Sequence, residues 1–248
     1  IDRLDAEEDR QRVLFEHLKQ WLSMHGIWKE WRDYRRIILE EIYPLHPIST
    51  YLLCNLTDWL QSRSSLTLLS EKVRSMGNCE LDEGRPLPLI YPVDLLKGEF
   101  FNELLNAEEQ GRQRSQFCIL LNSIYCKFDT KLTDDARSVL IANLIIRICR
   151  FRFEQREELL LAIGECTGLA RDRVDAAVQL LEDEYAVLSY DDRLICFDFV
   201  ADSVGANEFR NFLKTAQNRR TFQPEMLMQN DIQDYADILK PVDTDFGS

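Results

Sequence analysis

The feature that most constrains the fold is the pattern of helix-forming and β-prone residues between positions 133 and 200. Thr133 is followed by two aspartates and predicts the start of a helix, whose apolar residues recur at helical spacing up to Cys149. Residues 157–163 predict a second, shorter helix, and we expect the two glycines within residues 164–168 to break it.

A third helix and a β-hairpin complete this pattern. After Arg171, apolar residues from Val174 to Leu181 recur at positions i, i+4 and i+7, which predicts an amphipathic helix. Residues 185–190 and 194–199 are β-prone and are separated by a pair of aspartates, so we expect them to pair as a hairpin. The order of helix, helix, helix and hairpin predicts a winged helix.

The rest of the chain predicts further helices, so the expected fold class is mainly α: a helical bundle followed by a winged-helix domain with a small β-hairpin. Gly26 interrupts the helical pattern of the N-terminal residues, and Pro44 and Pro47 force a non-helical elbow. Pro47 suits the first turn of the helix after the elbow, and Pro92 starts another helix that continues to Leu105. The expected domains are a lid-like helical bundle at 1–110, the winged helix at 111–205, and a C-terminal helix with an acidic tail at 206–248.

Composition limits the location and the chemistry of the chain. It has 248 residues with 45% hydrophobic content, enough for one large core or two modest ones. The sequence begins at Ile1 and has neither a leader pattern nor an 18-residue apolar run, so we expect a soluble, cytoplasmic fragment of a longer protein without a membrane span. Seven cysteines, an odd number, are expected to be reduced and mostly buried.

Catalytic and metal-binding patterns are absent from the sequence. The three histidines are not at metal-ligand spacing, and there is no Cys-x-x-Cys pair, no phosphate loop and no Gly-x-Gly-x-x-Gly turn. Cys79 lies in an expected loop, but no histidine near it in sequence could serve as its base. We therefore predict no catalytic residue, metal site or bound cofactor in this segment, and keep a helical enzyme with an unrecognised site as an alternative.

The charge distribution favours a protein partner over nucleic acid. The net charge is −13, and the predicted third helix has two arginines against five carboxylates, a balance of −3. Arg171 and Arg173 nevertheless lie at the helix N-terminus, where winged helices place base-reading residues, and Arg193 lies in the wing. A module that binds DNA or RNA therefore stays as an alternative, with Arg219 and Arg220 as a further candidate contact.

Two short segments add a family resemblance. The elbow Tyr43-Pro44-Leu45-His46-Pro47, with the helix and the Arg63-Ser64-Ser65 segment after it, resembles a part of large bacterial P-loop ATPases, BREX-type ATPases of phage-defence systems among them. The later segment Ile90-Tyr91-Pro92-Val93-Asp94-Leu95-Leu96 is similar to the return segment that precedes the winged helix in that family. The resemblance covers residues 37–200 and implies a helical lid that follows a nucleotide-binding core.

The same resemblance implies partners and two nucleotide-proximal residues. The parent protein would bind ATP and Mg in an upstream ATPase core, which would be the partner in cis, whereas this chain lacks the phosphate loop and would not hydrolyse ATP alone. His46 would position the lid, and Arg63 would approach the nucleotide phosphates. The residues themselves also allow a simpler interpretation, in which His46 packs or hydrogen-bonds within the elbow and Arg63 caps the carbonyls of the preceding helix.

Overall fold

The computed structural model describes residues 2–22, 26–56, 69–70, 74, 89–128 and 130–200. These residues are mainly helical and include one two-stranded antiparallel sheet, which confirms the predicted fold class. The predictions for Arg63, for the loop with Cys79 and for residues 206–248 with Arg219 and Arg220 lie outside the described residues.

The N-terminal helices enclose a row of buried aromatic and aliphatic side chains. Helix α1 (Asp2–Trp21) is followed by a 3-10 turn (Gly26–Trp28), and α2 (Trp31–Asp33) continues as a π-helix (Tyr34–Glu41). Gly26 has a φ of +61°, a backbone conformation that ends the helical path, so the predicted interruption is confirmed. The π-helix was not predicted, because its apolar residues also fit ordinary helical spacing.

Two prolines and a glycine set the helix boundaries in the middle of the chain. Pro47 is the first residue of α3 (Pro47–Asn55), and Pro92 is the first residue of α4 (Pro92–Leu95), as predicted. We expected one helix from Pro92 beyond Leu104, but Gly98 with a φ of +73° separates α4 from α5 (Glu99–Glu109). The continuous helix was therefore a wrong prediction.

The carboxylate of Glu108 joins α5 to α6 (Phe117–Phe128). It is buried and accepts hydrogen bonds from the Ser115 hydroxyl at 2.6 Å and from the backbone amides of Cys118 at 2.8 Å and Ile119 at 3.2 Å. It thus satisfies amides in the first turn of α6 that have no partner within the helix.

The predicted helix, helix, helix, hairpin order is present. Its elements are α7 (Asp134–Cys149), α8 (Arg156–Thr167), α9 (Arg171–Gln179) continued by a π-helix (Leu180–Glu184), β1 (Leu188–Asp191) and β2 (Cys196–Phe199). The Thr133 hydroxyl accepts a hydrogen bond from the Ala136 amide at 3.2 Å, which confirms the predicted cap. Asn143 of α7 is fully buried and donates to the Phe197 carbonyl at 3.1 Å, so that it attaches β2 to the helices.

Two predicted boundaries in this region are wrong. Helix α8 passes through Gly164, since an interior glycine costs only about 1 kcal/mol, and it ends at Gly168, which has a φ of +71°. Strand β1 begins at Leu188 rather than at residue 185, because the π-helix extends to Glu184 and Ala186 has a φ of +47°.

A large hydrophobic core joins the described helices, and a small second cluster consists of Leu45, Ile90 and Leu95. The buried residues of the large core run from Leu14 of α1 to Phe199 of β2 and lie on both sides of position 110, where the domain boundary stays a prediction.

Of the described cysteines, Cys54 and Cys126 are exposed, and four are buried free thiols: Cys118, Cys149, Cys166 and Cys196. Within the part of the chain described, no helix has both the length and the apolarity needed to cross a bilayer.

Candidate functional site at the elbow junction

The two segments that carry the family resemblance lie side by side. Leu45 of the elbow (residues 43–47) forms a parallel bridge with Ile90 of the return segment (residues 90–96). The Ile90 amide donates to the Pro44 carbonyl at 2.8 Å, the His46 amide donates to the Ile90 carbonyl at 3.1 Å, and the Ser49 hydroxyl donates to the same carbonyl at 2.7 Å. Backbone pairing thus holds the start of α3 against the start of α4.

His46 links this paired backbone to the winged helix. Its side chain has 0% exposure, and its ring stacks on Tyr91 with 5.3 Å between the ring centroids. Nδ1 accepts a hydrogen bond from the Ile48 amide at 3.3 Å and so caps α3. Nε2 lies 3.3 Å from Oε2 of Glu165, which belongs to α8. Since an amide can donate only to an unprotonated nitrogen, the proton of the neutral ring is on Nε2 and is donated to Glu165.

Glu165 is the charged centre of the contact. Its side chain is 18% exposed, and its Oε2 also lies 3.9 Å from Nη2 of Arg10. Burial raises the pKa of Glu165, but the hydrogen bond from His46 and the positive charge that His46, Arg10 and His17 can carry lower it more, so the pKa lies below its usual range. The carboxylate is therefore ionised at neutral pH.

The end of α8 packs on the ring that covers His46. A Cβ atom built on Gly168 would lie 2.7 Å from the Cζ atom of Tyr91, closer than side-chain atoms approach one another. The φ of +71° at this position also favours glycine. We name the elbow, the return segment and residues 165–168 together the elbow junction.

Tyr34 adds a second buried polar group near the carboxylate. Burial, followed by the charge of Glu165, raises the pKa of the Tyr34 hydroxyl, so that it stays neutral. This hydroxyl has no hydrogen-bond partner among the residues that the structure describes.

The surroundings of His46 limit what its ring can contact. Both ring nitrogens of His46 bind groups of the protein, and its side chain does not reach solvent. Among the described residues no group of three or more His, Cys, Asp or Glu side chains could hold a metal ion. Proximity of His46 to a nucleotide and its role in positioning a lid stay predictions, and the observed contacts are a helix cap, a ring stack and a hydrogen bond to Glu165.

The arginines of the third helix bind carboxylates of the winged helix itself. Arg173 makes a bidentate pair with Asp135 of α7, with N···O distances of 2.6 and 2.9 Å, and this contact raises the pKa of the guanidinium. Arg171 places Nε 2.9 and 3.0 Å from the two carboxylate oxygens of Asp175 and contacts the Glu157 carbonyl. The two arginines expected at a base-reading position are thus already paired.

Other basic residues near this surface are also engaged. Arg156 binds Glu182 at 2.6 Å and lies over the Tyr190 ring at 4.5 Å, at the side of an open groove of about 360 Å³ between α8 and α9. Arg147 binds Asp198 at 3.2 Å and stacks on Phe117.

The wing tip presents one basic and one apolar residue. The Asp191 carboxylate accepts hydrogen bonds from the amides of Arg193 and Leu194, which fixes the turn. Arg193 is exposed, and Leu194 is 65% exposed. The wing therefore offers an apolar side chain beside a single arginine.

Two residues of the contact with His46 and its partner carboxylate were not recognised in the sequence. Glu165 was placed in a helix break, although a carboxylate beside the apolar Ile163 and Cys166 on a helix is a signal of a buried polar contact. Arg10 belongs to a charge-rich helix face with no distinguishing pattern. Comparison with protein-family models, with curated proteins and with solved structures gives no match for this chain.

Proposed function

We propose that this chain is the non-catalytic lid and winged-helix region of a multidomain P-loop ATPase, and that its winged helix contacts protein rather than nucleic acid. The family resemblance is the basis for the assignment to a P-loop ATPase. It is supported by the elbow junction, in which the two resembling segments pair through the Leu45–Ile90 bridge although 45 positions separate them. In such a region the elbow fixes the direction in which the lid leaves the core.

One observation supports the choice of a protein partner over nucleic acid. The guanidinium groups of Arg171 and Arg173 are bound to carboxylates of the same domain. A phosphate group at either arginine would compete with a carboxylate that already binds the guanidinium. Asp172 and Glu184 are exposed on the same helix and its π-helical continuation, and they would repel a phosphate backbone. A protein surface with its own cations and apolar groups is the better match for this face and for Leu194 at the wing tip.

Nucleic-acid binding by the chain tests this choice directly. Fluorescence anisotropy with a labelled DNA duplex and a labelled single-stranded RNA should be measured at low and moderate salt. We expect dissociation constants weaker than about 10⁻⁵ M at low salt, at the weak end of non-specific binding. Tighter binding that falls steeply with salt, and that Arg171→Ala and Arg173→Ala weaken, would support the DNA- or RNA-binding alternative instead.

The relation to an ATPase is tested in the gene and in the full-length protein. The residues encoded before Ile1 should contain a phosphate loop and an acidic metal-binding strand, and the full-length protein should hydrolyse ATP with Mg while residues 1–248 alone should not. A native start codon near Ile1 would contradict the proposal. If the parent acts in phage defence, removal of residues 1–248 should abolish protection of the host in a plaque assay.

A further inference from the structure

The two hydrogen bonds of His46 place opposite demands on the protonation of its ring. Nδ1 needs a lone pair to accept the Ile48 amide at 3.3 Å, whereas Nε2 needs a proton to donate to Glu165 at 3.3 Å. The neutral ring with its proton on Nε2 satisfies both demands. A second proton can bind only to Nδ1, where it would point at the N–H group of Ile48 and break the cap of α3.

Several charged and titratable groups face the ring or its partner carboxylate. Glu165 of α8 favours a positive ring, and Arg10 and His17 of α1 also act on that carboxylate. Tyr91 covers the ring as a neutral stacked group, and Tyr34 of the π-helix is a neutral hydroxyl near Glu165. Glu165 is 18% exposed and faces Nε2, on the other side of the ring from Nδ1.

We propose that His46 is an acid-sensitive switch at the elbow, in which a second proton exchanges the cap of α3 for a stronger contact with α8. In the neutral state the Ile48 amide is bound and the first turn of α3 is closed. In acid, a proton from water binds Nδ1, the Ile48 N–H group loses its acceptor, and the charged ring binds Glu165 as an ion pair. The elbow then stays attached to the winged helix while the start of α3 opens.

Nitrogen NMR and amide exchange of the full chain can test each step between pH 7.5 and 5. The ring nitrogen shifts of His46 should report the Nε2–H tautomer at pH 7.5 and a doubly protonated ring in acid. Exchange of the Ile48 amide, corrected for its intrinsic rate, should accelerate about fivefold over the same range, as the loss of one helix cap predicts. The Leu56 amide, bound to Leu52 at the other end of α3, should show no such change.

Three variants separate the parts of the switch. His46→Asn keeps a capping acceptor that does not titrate, so exchange of the Ile48 amide, corrected for its intrinsic rate, should no longer depend on pH. Glu165→Gln removes the negative charge, and the second proton should then bind only at lower pH. His17→Gln should retain the pH dependence, because His17 does not contact the cap.

Three outcomes would overturn the proposal: an Nδ1–H tautomer at pH 7.5, a ring that stays neutral to pH 5, or a doubly protonated ring without faster Ile48 exchange. If His46→Asn does not fold, the ring nitrogen shifts of the wild-type chain and their comparison with those of Glu165→Gln still test the proposal. Neither measurement depends on the His46→Asn variant. These measurements are independent of nucleic-acid binding and of ATP hydrolysis, so they can fail while the proposed function stands.

Discussion

The elbow junction and the third helix of the winged helix both pair cationic or histidine side chains with carboxylates, but in opposite surroundings. At the junction, His46 is buried and contacts a residue 119 positions away in the chain. On the third helix, Arg171 and Arg173 are exposed and bind carboxylates at the surface. Buried polar contacts are costly to break, whereas exposed ion pairs contribute little to stability. We therefore expect the junction to control stability and the helix face to control the choice of partner.

The strongest test of this comparison is His46→Ala. The change removes the cap of α3, the hydrogen bond to an ionised carboxylate and a fully buried ring, so the free energy of unfolding should fall by about 3–4 kcal/mol. Thr133→Ala is the matched control, because it removes the cap of α7 alone and should cost about 1 kcal/mol. Urea unfolding of both variants measures the difference, and equal losses would show that the junction adds nothing beyond a cap.

Gly168→Ala tests the packing of α8 on the return segment. The new Cβ atom would meet the Tyr91 ring at 2.7 Å in a backbone conformation that suits glycine, so we expect a loss of about 2–3 kcal/mol. Gly111→Ala is the control, since Gly111 has a similar φ of +68° but no atom within 4 Å of the new Cβ; it should cost about 1 kcal/mol. If the two variants lose the same stability, the Tyr91 contact is not a constraint.

The pH dependence of unfolding tests the charge of Glu165. Its pKa is lower in the folded protein than in the unfolded chain, so its contribution is complete above the unfolded pKa and is lost as the pH falls through the folded value. The free energy of unfolding of the wild type should exceed that of Glu165→Gln by about 1 kcal/mol at neutral pH. This difference should decline below about pH 4.5. A difference that grows as the pH falls below about 4.5 would reverse the assigned sign. Urea titrations at several pH values provide the measurement.

The sequence predicted elements whose signals are local and missed contacts that depend on distant residues. Thr133, Pro47 and Pro92 mark helix starts because caps and prolines act within one turn. The partnership of His46 with Glu165 joins residues far apart in the chain, and no periodicity in either helix encodes it. Gly98 and Gly164 show the same limit, since only their backbone conformations decide that the first breaks a helix and the second does not.

The ion pairs of the third helix are expected to affect partner choice more than stability, and Asp135→Asn tests this. The change frees the guanidinium of Arg173 for phosphate, so nucleic-acid binding at low salt should strengthen by about threefold and become more salt-dependent. Asp172→Asn is the matched control. It also removes one negative charge, in this case from the third helix, while the pair between Arg173 and Asp135 stays intact. The midpoint of urea unfolding should hardly change in either variant, because both sites are at the surface. Equal gains in anisotropy titrations would mean that net charge, and not the paired state of Arg173, keeps nucleic acid away.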